Sequence, residues 1–175
     1  LSVFNGLVTT KVYDGTDAAV ITGAVLVGNS TADNDGKYIG SEVVTLGNNT
    51  AGTFASKNAG TGKTVSTTMT LGGADSGNYT LLNQPNLTGT ITKKDLSVFN
   101  GLVTTKVYDG TDAAVITGAQ LQGVAVGVGT DLDGKYYNGD TVVLVGGIGG
   151  TFASKNVGTG KTVSTTMTLG GADSG

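Results

Sequence analysis

The sequence predicts an all-β fold made of tandem β-sandwich modules, and three observations support this prediction. Val65, Met69 and Leu71 are separated by Ser and Thr at even spacing, which is the period of a strand with one buried face. Glycine is abundant, with 31 of 175 residues, and is typical of tight turns between short strands. A unit of about 95 residues occurs twice, close to the roughly 100 residues of a small β-sandwich.

The individual strands are predicted from runs rich in Val, Thr and aromatic residues that are bounded by Gly, Asn and Asp. Turn signals such as Asp14-Gly15 and Asp35-Gly36 separate them. No window has the period of an amphipathic helix. The strands predicted in the first repeat span residues 1–12, 19–27, 42–46, 52–56, 65–71, 79–82 and 87–92.

The two copies of the repeat are nearly identical at both ends. Residues 1–24 are the same as residues 96–119, and residues 53–77 return at 151–175 with a single change. The intervening segment varies and is longer in the second copy. Free variation and insertion between nearly identical flanks are typical of an exposed loop.

Two domains follow from the repeat, 1–95 and 96–175, and the second has no counterpart of residues 78–95. It is therefore either truncated or completed by a strand from a neighbour, since an unpaired sheet edge accepts an added strand. In the second case, head-to-tail strand addition would build filaments, because it does not close on itself.

The composition excludes several classes of function. The absence of His and Cys excludes nucleophilic triads and common zinc sites, and we expect no enzymatic activity. The net charge is −3 and the basic residues are scattered, so we expect no nucleic-acid partner. No apolar run approaches about 20 residues, so we expect no transmembrane segment. A chain without cysteine also suits export in an unfolded state.

Calcium is the one cofactor that the sequence suggests, in the variable loops 24–35 and 119–133. Each loop places two carboxylates one residue apart before a Gly turn, and hard cations prefer such oxygen ligands. The same pattern also fits a solvated turn whose aspartate caps its own backbone. The candidate metal ligands are Asp33, Asp35, Asp131 and Asp133.

The segments KVYDGTDAA at 11–19 and 106–114, with GTFASKNAGTGKTVSTTMTLGGADSGNYTL at 52–81, resemble the YDG repeat domain. The resemblance covers essentially the whole chain. It implies tandem immunoglobulin-like β-sandwich modules of large secreted bacterial adhesins similar to filamentous haemagglutinin. It also implies an extracellular location at the bacterial cell surface, and it brings no catalytic residues.

We therefore expect a structural stalk or fibre-forming segment of a cell-surface adhesin. Polymerisation by strand addition belongs only to the interpretation in which a neighbour completes the second repeat. Its expected partners are adjacent repeats of the same or identical chains, and host or biofilm surface glycans. The alternative is a ligand-binding module that takes carbohydrate or Ca²⁺ through the loops 24–35 and 119–133. The near-identity of the copies favours the stalk, because recombination can then change the length of an array without altering a specific site.

Overall fold

The computed structural model describes residues 1–32, 34–82 and 87–174. The chain divides into two compact units, Leu1–Lys93 and Lys94–Gly175. The boundary lies two residues before the predicted one, and Lys94 contacts residues of the second unit. Among the described residues the only helix is a single 3-10 turn, Ser76–Asn78, so the prediction of an all-β chain is confirmed.

The described residues of the first unit form eight short strands. In chain order they are β1 (Leu7–Val8), β2 (Lys11–Val12), β3 (Ala18–Thr22), β4 (Thr45–Gly47), β5 (Ala51–Phe54), β6 (Gly60–Ser66), β7 (Thr70–Gly72) and β8 (Thr88–Thr92). Six of them form one sheet in the order β1-β3-β5-β6-β8-β2, and β4 pairs with β7. Within the sheet, β8 is antiparallel to β6 and parallel to β2.

The core of the first unit follows from the alternation of its strands. In β3, Ala19 and Ile21 are buried while Val20 between them is exposed. Phe54 at the end of β5 is among the most completely buried side chains, together with Ile91 of β8. The buried cluster consists of Val3, Ala19, Ile21, Ala24, Phe54, Val65, Met69, Leu87 and Ile91.

Two predicted strands are interrupted in the structure. The predicted strand 65–71 is split because β6 pairs with β5 whereas β7 pairs with β4, although Val65 and Met69 are both buried as the alternation predicts. The predicted strand 1–12 is broken at Asn5, whose φ of 58° lies in the left-handed region and cannot continue a strand.

The part of the second unit that the structure describes, residues 94–174, also forms eight strands, and they are mostly shorter. They are β9 (Leu102–Val103), β10 (Ala113–Thr117), β11 (Gly123–Val124), β12 (Tyr136–Tyr137), β13 (Val143–Val145), β14 (Gly149–Phe152), β15 (Val163–Ser164) and β16 (Thr168–Gly170). The main sheet has the order β15-β14-β10-β9, and two further pairs are β13-β16 and the parallel pair β11-β12.

The two units share their central pairing. Ala113 pairs with Thr151 between β10 and β14, as Ala18 pairs with Thr53 between β3 and β5. The difference lies at the edge that β8 occupies in the first unit. There β6 has seven residues, whereas its counterpart β15 has two, and the counterpart of β2, residues 106–107, is not a strand. A strand that lacks a neighbour loses the hydrogen bonds that define it.

Candidate functional site

The Tyr-Asp-Gly motif forms a closed turn that is held together by a lysine. Lys11 Nζ donates to Asp14 Oδ1 at 2.8 Å and to the carbonyl oxygens of Thr16 and Ala18, both at 2.9 Å. The amide of Thr16 donates to the same carboxylate oxygen at 2.8 Å. Partial burial opposes ionisation of Asp14, but the hydrogen bonds from Lys11 and Thr16 outweigh it and lower the pKa of this carboxyl.

The second unit repeats this arrangement residue for residue. Lys106 Nζ lies 2.8 Å from Asp109 Oδ1 and donates to the carbonyl oxygens of Thr111 and Ala113, both at 3.0 Å. The hydrogen bonds from Lys106 and from the Thr111 amide lower the pKa of Asp109 to about 2. We call these two clusters, Lys11-Asp14-Thr16 and Lys106-Asp109-Thr111, the turn clamps. Their polar groups are directed at the turn itself.

The tyrosine of the motif is positioned differently in the two units. Tyr13 packs against the buried cluster of the first unit, and Lys57 Nζ lies 5.8 Å from the centroid of its ring. Its counterpart Tyr108 is 56% exposed. The turn is the same in both units. The exposure of Tyr108 therefore reflects a difference in the segments around the turn and not a difference in the turn itself.

The candidate calcium ligands Asp35 and Asp133 each accept hydrogen bonds from two backbone amides of their own loop. Asp35 accepts from the amides of Thr31 at 3.0 Å and Lys37 at 2.9 Å, which lowers its pKa. Asp133 likewise accepts from Thr130 at 3.0 Å and Lys135 at 2.9 Å. Each carboxylate therefore closes its own loop.

Asp133 has a further partner that the sequence analysis missed. Lys94 Nζ lies 2.8 Å from Asp133 Oδ1 and 4.2 Å from the centroid of the Tyr137 ring, and only 3% of the lysine side chain is exposed. The close contact with the Lys94 ammonium group is the main cause that lowers the pKa of Asp133 to about 2. No local signal marks Lys94, because it lies in the joint between repeats and its partners are distant in sequence.

The other two candidate ligands are not brought into these clusters by the structure. Asp131 is exposed, and Asp33 lies outside the described residues. Within residues 1–32, 34–82 and 87–174, no three acidic side chains converge in a way that could hold a metal ion. Calcium binding by Asp33, Asp35, Asp131 and Asp133 stays a prediction.

The main structural difference between the units is the slot that holds β8. In the first unit β8 is hydrogen-bonded on both sides. The amide of Tyr13, beyond β2, donates to the carbonyl of Thr92 at 2.9 Å, and the amide of Val65, in β6, donates to the carbonyl of Leu87 at 2.9 Å. The strand is thus inserted into the sheet, where it completes two ladders at once.

The side chains of the β8 segment also fit the slot closely. Leu87 is 5% exposed and Ile91 is 1% exposed. Between them, Gly89 leaves room for its neighbours, because a Cβ at this position would lie 2.5 Å from Val8 Cγ1 and 2.9 Å from Phe54 Cε1. The slot therefore accepts a Leu-x-Gly-x-Ile pattern and excludes a side chain at its centre.

The second unit has an open groove at the equivalent place. Its volume is about 560 Å³. It is lined by residues 103–108, Thr111, Phe152 and residues 154–161, and we call this surface the open groove. Residues that are partly buried in the first unit have exposed counterparts here, namely Val103 (46%), Val107 (89%), Tyr108 (56%) and Val157 (87%).

The open groove has nearly the same sequence as the filled slot. Its residues are identical to those of the first unit except that Val157 replaces Ala59. The lysines Lys106, Lys155 and Lys161 contribute positive charge to its lining. The sequence alone could not show which side chains of the repeat lie against β8 in the first unit.

These features define a class of protein, a chain of repeated all-β modules whose signature motif closes a turn. The YDG domain matches residues 1–87 and again residues 92–175, so the chain belongs to the YDG domain family. No curated protein and no solved structure has significant similarity to the chain. Within the described part of the chain, no helix has the length and hydropathy that crossing a bilayer requires.

Proposed function

We propose that this chain is a stalk segment of a bacterial cell-surface adhesin, in which repeated YDG modules separate a binding tip from the cell. The observation that supports the proposal is the structural role of the Tyr-Asp-Gly motif. In both units the motif's charged and polar groups are engaged in a turn clamp. The motif that the repeats share therefore has a structural role. A stalk requires modules that fold in the same way and does not require a common ligand site.

The near-identity of the two repeats supports the same function. Residues 1–24 and 96–119 are identical although they belong to separate compact units. A stalk can gain or lose such modules without harm, since each module is a separate compact unit. We further propose that each complete module is an immunoglobulin-like sandwich, in which β4 and β7 belong to a second sheet beside the six-stranded one, and that the chain is extracellular.

The proposed function is tested by chains of two, four and six YDG modules examined by small-angle X-ray scattering. A stalk predicts that the maximum dimension grows in proportion to the number of modules. Surface digestion of the producing bacterium by an added protease should release fragments of the chain. Arrays that collapse to a constant dimension, or a chain that is protected from the protease inside the cell, would contradict the proposal.

The ligand-binding alternative is tested separately on the same chain. A binding module should shift its melting temperature with Ca²⁺, or bind a glycan, in a manner that depends on the loops 24–35 and 119–133. An exchange of these two loops between the units is the matched control. Because the described aspartates Asp35 and Asp133 already accept backbone amide hydrogen bonds, we favour the stalk.

A further inference from the structure

We propose that the outer face of the main sheet in each unit is a lateral contact surface that binds the same face of a second copy of the chain. The outer face is the side of the sheet that points away from the buried core. The inference goes beyond the proposed function, because it concerns contacts between neighbouring stalks. In the first unit the outer face is formed by Leu7, Ala18, Val20, Thr22, Thr53 and Ser66.

The alternation of β3 separates the two sides of the sheet. Ala19 and Ile21 are buried, whereas Val20 between them is exposed. The neighbouring strands continue each side, since paired residues of adjacent strands point to the same side of a sheet. The register aligns an exposed row across β3, β5 and β6, namely Ala18, Thr53 and Ser66, and it also pairs Leu7 with Thr22 and Val20 with Ala51.

The second unit repeats the outer face. Leu102 is 70% exposed, against 68% for Leu7, and Val115 and Val20 are both 59% exposed. The outer face is therefore a property of the repeat and not of one unit. The exposed row is formed in the second unit by Ala113, Thr151 and Ser164.

The outer face of the first unit carries no charge on the described strands, although the chain has 10 basic and 13 acidic residues. The exposed positions of β1, β3, β5 and β6 hold only Ala, Gly, Leu, Ser, Thr and Val. Two copies of a chain with a net charge of −3 repel each other at long range. At the outer face they can approach without opposing like charges and without burying an unpaired charge.

The side chains of the outer face suit packing against a copy of itself. Each valine has a small cross-strand neighbour, because Val20 pairs with Ala51 and Val115 pairs with Gly149. Large side chains beside small ones can interdigitate when two sheets stack about 10 Å apart. A surface that fits its own copy forms a two-fold contact, which is the commonest arrangement of identical chains.

A small ligand or a glycan fits the outer face less well. Ligand sites are concave and lined by apolar and aromatic side chains. The outer face is an open sheet surface, and the exposed positions of its described strands β1, β3, β5 and β6 hold no aromatic residue. A second sheet of the same composition is therefore the better partner.

The size of the outer face predicts a weak contact. Four strands about 4.8 Å apart, with five residues at about 3.3 Å each, give a surface on the order of 300 Å² per unit. A stable interface buries about 800 Å² on each partner. The contact made by one unit is therefore transient, and each further module of a stalk contributes another contact of the same kind.

The experiment measures self-association of the intact 175-residue chain by sedimentation equilibrium. We expect the weight-average mass to rise between about 10 μM and about 1 mM, the range of weak association. About 1 M NaCl should leave the association intact or strengthen it, because salt screens the repulsion between acidic chains. In NMR spectra, the methyl signals of Leu7, Val20, Leu102 and Val115 should shift with concentration, and those of Ile39 should not.

Two double variants provide a matched comparison. Val20→Lys with Val115→Lys places a charge in both outer faces and should weaken association at least about tenfold. Ile39→Lys with Leu132→Lys changes the net charge equally, at residues that are 55% and 96% exposed and lie outside the main sheets, and should have little effect. Unchanged hydrogen exchange in β3 and β10 shows that the variants remain folded.

Several results would overturn the inference. A mass that stays constant up to about 1 mM would show that the outer face is an ordinary solvated surface. Equal weakening by both double variants would assign the association to another surface, and its loss in high salt would assign it to ion pairs. Methyl shifts in the dilute chain on addition of a soluble cellulose oligosaccharide would identify a glycan as the partner. The proposed stalk function would survive each result, since it depends on the length of a single array.

Discussion

Gly89 lies directly against Val8, so close that a Cβ on the glycine would be 2.5 Å from Val8 Cγ1. Real Cβ contacts do not reach this distance, and the nearby Phe54 ring at 2.9 Å leaves no direction in which the side chain could move. The contact explains how β8 is inserted so deeply into the first unit. It also explains why the segment pattern has a residue without a side chain between two buried apolar ones.

Gly89→Ala should therefore destabilise the first unit by about 1–3 kcal/mol through overpacking. The matched control is Gly77→Ala, because a Cβ at Gly77 meets nothing within 4 Å and its effect should stay within about 0.5 kcal/mol. Hydrogen exchange of amides in residues 1–93 measures the free energy of opening. Equal effects of the two substitutions would contradict the close fit of β8.

Phe54 and Phe152 are the same residue in the same local sequence, and they differ in whether β8 covers them. Phe54 is 2% exposed, whereas Phe152 is only partly buried and lines the open groove. We expect Phe54→Ala to destabilise its unit by about 3–5 kcal/mol and Phe152→Ala by clearly less. Exchange measured separately in each unit tests this, and a loss for Phe152→Ala that matches Phe54→Ala would disprove the assignment of the groove.

The sequence was informative wherever a structural feature depends on neighbouring residues. The turn at Tyr13-Asp14-Gly15 and the inward orientation of Val65 and Met69 both depend on local spacing, and both were predicted correctly. The break between β6 and β7 was missed because the alternation of apolar residues continues across it. Only the change of pairing partner ends the first strand, and pairing partners are distant in sequence.

The candidate sites show the same limit of sequence analysis, because their chemistry also depends on residues that are distant in sequence. An aspartate before a Gly turn has the same sequence whether it binds a cation or caps its own loop, and Asp35 and Asp133 cap theirs. Lys94 was not predicted as a neighbour of Asp133, because only folding brings the two residues together.

The turn clamp of the second unit predicts a measurable change in the pKa of Asp109. The hydrogen bond from Lys106 is the main cause that holds this pKa at about 2. Lys106→Met removes the ammonium group and should raise the pKa of Asp109 towards 3.8, although the Thr111 amide will keep it below that value. Carboxyl chemical shifts during an acid titration report the pKa, with Asp14 of the intact first clamp as the internal control.

A pKa of Asp109 that remains at about 2 in Lys106→Met would show that backbone amides alone account for the shift. The turn clamp would then depend on the Asp-Gly-Thr turn rather than on the lysine. In that case Lys11→Met should also leave the pKa of Asp14 unchanged, so the pair of variants gives one consistent answer.

The ion pair between Lys94 and Asp133 should make the stability of the second unit fall in acid. Asp133 has a pKa of about 2 in the folded chain, against 3.8 for an unperturbed aspartate. A carboxyl with a lowered folded pKa stabilises the protein above its unfolded pKa, and this contribution is lost as the pH falls from about 4 to about 2. The Asp133→Asn variant should therefore be less stable than the native chain at pH 7, with a difference that shrinks over this range.

The effect at neutral pH should be large for a single loop residue, because the Lys94 side chain is 3% exposed and would keep a buried charge without its partner. Asp35→Asn is the matched control, since Asp35 occupies the same loop position and its pKa is lowered chiefly by the amides of Thr31 and Lys37. Hydrogen exchange between pH 7 and pH 3, followed in each unit separately, measures both variants. Acid sensitivity that Asp133→Asn leaves unchanged would show that Lys94 stabilises the unit through the Tyr137 ring, 4.2 Å from its ammonium group, rather than through the carboxylate.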